Sequence, residues 1–128
     1  MEEDFRALLL ADSGVSALAG SRVNWGAHPQ GQSLPAVVLN VVSDADGMTM
    51  QGPDGLWQGR VQADAYAETY GAAKGLAQAV IARLNGHRGG GFRLVEHVAT
   101  RDSREGGSNE AEHPFRVSLD FLTHWRAP

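Results

Sequence analysis

Five histidines, His28, His87, His97, His113 and His124, are the side chains of this sequence best suited to hold a metal or shuttle a proton. None stands at the i, i+4 spacing with which a helix presents two imidazoles to one ion, and a zinc site takes three or four ligands. A C-terminal hairpin would set His97 near His124 with His113 at its tip, which is too few for that set; exposed strand and loop histidines are the expectation. The glycine-rich stretch "GHRGGG" (86–91) could aim backbone N–H groups at an anion. It lacks the lysine that a phosphate loop places before serine or threonine, and it follows a helical pattern and precedes a strand. That order is reversed for phosphate binding, so a hinge is expected.

Nucleophilic catalysis has no better footing. There is no cysteine and no G-x-S-x-G. Paired carboxylates need convergence in one pocket to divide acid and base roles. Asp64 and Asp120 instead fall on the polar alternation of two strands, where a solvated or salt-bridged sheet face accounts for both. The sequence therefore calls for no catalytic group, no metal and no cofactor.

What must position its side chains is a domain of ordinary composition. At 128 residues, 42% hydrophobic and 20% charged, residues 1–128 read as one domain around a single core. A net charge of −4 argues against gripping nucleic acid, which calls for a basic face. The start, "MEEDFRALLLADSG", is acidic with a short apolar run, so neither a signal peptide nor a membrane span is expected.

Periodicity gives the elements. Residues 2–12 form an amphipathic helix with Glu2, Glu3 and Asp4 in its first turn. Residues 13–20 add a helical turn with Ser13 as its cap and Val15 and Leu18 inward, and 22–26 form a short strand. "PAVVLNVVS" (35–43) reads as a central strand, and the Asp- and Gly-rich 44–55 as a connection. From Leu56 a strand alternates Gly59, Val61, Ala63 and Ala65 against Arg60, Gln62, Asp64 and Tyr66. A helix from about Glu68 to Asn85 carries the stripe Ala73, Leu76, Ala77, Val80, Ile81 and Leu84, closed by Gly86. Two last strands follow, 92–103 with Phe92, Leu94, Glu96, Val98 and Thr100 on one face, and 114–125 with Phe115, Val117, Leu119, Phe121, Thr123 and Trp125 on one face. They pair as a long antiparallel hairpin. The fold class is α+β: a mainly antiparallel sheet with a long C-terminal hairpin, packed against one long helix and an N-terminal helix.

Three tryptophans suit either a core or an interface anchor. Trp125 is expected at the core rim. For Trp57, close to Met48 and Met50 in the chain, core packing is the first expectation and apolar contact with a partner the second.

Several stretches together resemble the tail-completion, or tail-terminator, proteins of long-tailed bacteriophages. They are the N-terminal helix, the spacing Val15, Leu18, Gly20, Arg22, Val23, the "PAVVL" strand, "WQGRVQADAYA", the "TYGAAKGLAQAV" helix and the "FRVSLDFL" strand. Gene-transfer-agent-like particles carry similar subunits. The resemblance implies a virion structural subunit of the tail or neck, assembled in the host cytoplasm, and not an enzyme. Six copies would form a ring that caps the tail tube protein, stops its polymerisation and joins a head–tail connector or stopper protein. DNA would pass through the channel without sequence-specific binding. On that basis the connections 44–55 and 104–113 become docking segments, with Met48, Met50, Gln51, Trp57, Arg104, Glu105, Asn109 and Glu110 as partner contacts. Asp44, Asp46 and Asp54 would face the channel, where carboxylates repel phosphate. Two other readings stand beside this one: another neck subunit, such as a head-completion protein, and a small α+β enzyme or ligand-binding domain with a pocket between sheet and helix.

Overall fold

The computed structural model describes residues 1–27, 33–104 and 114–127. Its elements run α1 (Glu2–Ala11), α2 (Ser13–Ala19), β1 (Val23–Trp25), β2 (Ala36–Thr49), β3 (Gly52–Ala67), α3 (Tyr70–Leu84), β4 (Phe92–Arg104) and β5 (Phe115–Trp125). The strands form one sheet in the order β1-β2-β3-β5-β4, with β1 parallel to β2 and every other pair antiparallel. This is the expected α+β class.

Local chemistry sets the helix ends. Asp12 closes α1, and its carboxylate accepts from Val15 N at 3.0 Å, so it caps α2 where Ser13 was expected. Ser13 is the first helical residue, one position too late to reach that amide. Thr69 caps α3 by accepting from Ala72 N at 3.1 Å, and Gly86, at φ 81°, turns the chain out of it.

One core joins these elements. Phe5 and Leu9 of α1, Val15 of α2 and the α3 stripe pack on Val61, Ala63 and Ala65 of β3 and on Val117, Leu119 and Phe121 of β5. The alanines of β3 leave room for α3 above them. Ile81 and Leu8 lie at the margin of the core, and Leu18 is turned outward. Tyr70 and Lys74 of α3 tie to β4 through Asp102, at 2.7 and 3.2 Å.

The opposite sheet face is polar. Asp64, Ser118 and Asp120 are almost fully buried there. Asp120 accepts from Arg101 and, at 3.1 Å, from Arg60; Asp64 accepts from Gln62 Nε2 at 2.9 Å. Hydrogen bonds from Arg101, helped by Arg60, hold the Asp120 carboxyl below its ordinary range despite burial. The expectation of a salt-bridged face holds, but the carboxylates are buried, not solvated.

Two sequence readings are corrected. The alternation in β4 changes phase, because register shifts at Phe92/Leu94 and His97/Ala99 each insert an extra residue. Phe92 and Val95 are buried, Leu94 is only half-buried, and Val98 faces out. The same shifts separate the histidines: His97 lies against Phe121 on the helix side and bonds Thr100, whereas His124 meets Glu96 on the other face. His28 and His113 lie outside the described residues.

Candidate interface on the hairpin arm

The second correction concerns residues 44–55, which are strand and not connection. β2 continues to Thr49, β3 begins at Gly52, and only Met50 and Gln51 form the turn. Thr49 secures that turn, its hydroxyl donating to Gly52 O at 2.9 Å while accepting from Gln51 N at 3.2 Å. Gly52 and Gly55 take positive φ, at 119° and 77°.

Farther back, Asp54 folds over the strand and accepts from Leu56 N at 2.9 Å. Its carboxylate lies within 3 Å of where a Cβ on Gly47 would stand, so a side chain at residue 47 would have to displace it. Register shifts at Val41/Ser43 and Asp46/Met48 add twist to the ribbon.

Most of this ribbon has only itself for company. β1 pairs with β2 only over Val37–Leu39, and β5 reaches β3 only from Trp57 onward. Among the described residues, β2 therefore runs from Asn40 to Thr49 with an open outer edge, and the outer part of the hairpin is a two-stranded arm. Such a ribbon is marginal in water unless something packs on it.

Several of its side chains are large, apolar and exposed. Met50 is fully exposed, Met48 is 72% exposed and Val42 56%; Val41 and Trp57 are exposed as well. Among the described residues, four of the eight large apolar side chains that face solvent are in the 41–50 stretch, and Trp57 stands beside it, a concentration that scattered surface residues do not produce. The structure thus sets Met48, Met50 and Gln51 on one arm, with Trp57 at its base where β5 begins to pair. Arg104 ends β4, and Glu105, Asn109 and Glu110 lie outside the described residues. Sequence reading missed Val41 and Val42, because they close an apolar run that passes for a central strand.

The three aspartates expected at a channel are also on this arm, in different settings. Asp54 accepts from Leu56 N. Asp44 stands beside the start of α1, where partial loss of hydration and then the Glu2 carboxylate raise its pKa. Asp46 has one carboxylate oxygen buried with no hydrogen-bond partner among the described residues.

The largest cavity described lies elsewhere, on the polar sheet face. Its volume is about 690 Å³, and Val38, Gln62, Asp64, Tyr66 and Arg116 contribute to its wall. The Asp64 carboxylate there is already bound by Gln62. Among the described residues no cluster of His, Asp or Glu could hold a metal, and no helix is long and apolar enough to cross a membrane.

With this geometry in place, the family model for tail completion protein gp17 matches residues 3–124. The chain belongs to that family. A gp17-family chain is a structural protein of the virion, located at the tail or neck. A solved structure described as the virion of a native gene transfer agent particle contains a chain of similar fold: TM-score 0.66, 21% identity, covering 96% of this chain and 92% of that one. No curated protein sequence matches significantly. The fold of this family member thus recurs in a particle.

Proposed function

We propose that the chain is the tail terminator, a non-enzymatic subunit of a single domain. Six copies form a ring that caps the tail tube, stops its polymerisation and joins the tail to the head connector, leaving a channel for DNA. The observation that carries this reading is the arm: a two-stranded ribbon with an open β2 edge and exposed methionines on a well-packed body. A closed ring needs two different patches per subunit, and a sheet with an open edge at β2 and an outermost strand at β4 offers them. The acidic balance suits a conduit, since carboxylates do not capture phosphates by counterion release. Asp54 is spoken for within the arm; Asp44 and Asp46 are better used between subunits than in the lumen, for the reasons given below.

Electron microscopy of the purified chain mixed with isolated tail tubes tests the reading. Rings on tube ends, and tubes that no longer elongate, are expected. Binding to head connectors alone would reassign the chain to another neck position. Binding to neither would overturn the structural reading in favour of a ligand at the polar-face cavity.

A further inference from the structure

The row of register partners Asp46, Trp57, Trp125 and Phe92 crosses four strands of the sheet, and its two ends differ in charge. At the β2 end is a small notch of about 190 Å³, lined by Met1, Glu2, Asp44, Trp57 and Trp125. That volume is below the roughly 300–1,000 Å³ of small-molecule pockets, so it suits one side chain and not a cofactor. Two indoles and the carboxylates of Glu2 and Asp44 line it, and Asp46, the register partner of Trp57, stands next along β2.

Beside the notch lie buried polar groups that nothing satisfies. In the neighbouring row, Asp44 pairs with Gly59 and Gly59 with Thr123. The Thr123 hydroxyl and an Asp44 oxygen lie 2.7 and 2.9 Å from the point where a Gly59 Cβ would stand, leaving a dip between them. Thr123 is 1% exposed, and its hydroxyl has no hydrogen-bond partner among the described residues; neither has the buried oxygen of Asp46. Buried groups of this kind normally have partners; an arriving donor would serve the Asp46 oxygen and the Thr123 hydroxyl, while the Trp125 indole N–H, also without a partner among the described residues, calls for an acceptor.

At the β4 end the chain is basic. Arg88 and Arg93 flank the tight turn closed by the Gly89–Phe92 bridge. Both are exposed, and neither makes a hydrogen bond or ion pair among the described residues. Arginine is the side chain that both stacks on indole and donates to several carboxylate oxygens at once.

We infer that the notch of one copy receives an arginine, Arg88 or Arg93, from the turn of a second copy. This rests on the ring reading above and names the contact that closes the ring. Successive subunits of a ring are related by rotation alone, so where the row lies across the axis, its acidic end meets the basic end of the next copy. The partial loss of hydration that raises the Asp44 pKa is offset when a guanidinium arrives.

The test is a charge swap read by light scattering and electron microscopy, with circular dichroism as the folding control. One variant carries Asp44→Arg and Asp46→Arg, the other Arg88→Glu and Arg93→Glu. Each alone should associate at least about tenfold more weakly than wild type. Mixed in equal amounts, they should regain the wild-type mass, because an alternating ring restores opposite charges at every contact. Asp44→Asn with Asp46→Asn gives the same loss of association without added bulk if the arginine variant misfolds. Wild-type rings together with undiminished assembly of either swapped variant would overturn the notch contact while leaving the ring. Loss in both swapped variants with no regain on mixing would show that the two sites do not face each other. A wild-type chain that forms no ring, alone or on tubes, would overturn the ring reading itself.

Discussion

The body of the sheet and the hairpin arm are made from the same two strands, yet they are held by different physics. Between Gly59 and Ala67, β3 alternates buried small residues with polar ones, has a strand on either side, and lies under α3. Ten residues earlier the same strand has one neighbour and exposed side chains. The body is fixed by burial and the arm by its backbone ladder and turn alone. A surface in the second condition is stable in an assembly when a partner supplies the missing packing, and that is the property a joining subunit needs.

The contrast breaks first in the body. Phe121 is fully buried and meets Phe5 edge-on, so Phe121→Ala should cost about 3–5 kcal/mol and unfold much of the chain, as read by denaturant titration. A loss under 1 kcal/mol would mean that this face is not the core.

The polar face gives the next largest effect. Asp120→Asn removes charge-assisted hydrogen bonds to Arg101 and Arg60, worth roughly 1.5–3 kcal/mol. Because its folded pKa lies below the unfolded value, Asp120 contributes stability above about pH 4, and that contribution is lost as pH falls through the folded pKa. The variant should lose part of the acid-side slope of stability against pH. An unchanged slope would remove Asp120 from that role.

On the arm, stability and function should separate. Replacing residues 47–56 by Asn-Gly joins Asp46 to Trp57, register partners already, through a two-residue hairpin turn. Stability should change by less than about 1 kcal/mol, while attachment to tail tubes disappears. A large loss of stability would show that the arm supports the body. Smaller still, Met48→Ser with Met50→Ser should leave stability within about 0.5 kcal/mol of wild type and weaken tube binding, measured by co-sedimentation. Unchanged binding would place the docking surface elsewhere.

What the sequence made legible follows the same division. The β3-to-α3 passage could be read because Val61, Ala63 and Ala65 alternate and Leu76, Val80 and Leu84 form a stripe, each pattern enforced by one shared core. Residues 44–55 were read as a connection because Asp, Gly and Pro are turn-formers. In a ribbon exposed on both faces, no apolar alternation is required, so nothing in the side chains announces a strand. The phase of β4 was lost to two bulges, which leave no mark in composition and turn Val98 outward. Met48, Met50 and Trp57 were singled out as candidate contacts, because the methionines have no core face and the tryptophan follows them in the chain. The notch was not, because Gly59 and Thr123 acquire meaning only when the register sets them beside Asp44.

The most direct test of a structural subunit that assembles through its arm is its mass in solution over a concentration series, followed by imaging beside tail tubes. The account predicts a hexamer, or a monomer that becomes a ring at tube ends. A monomer or dimer whose mass ignores concentration and which leaves tube ends bare would contradict it.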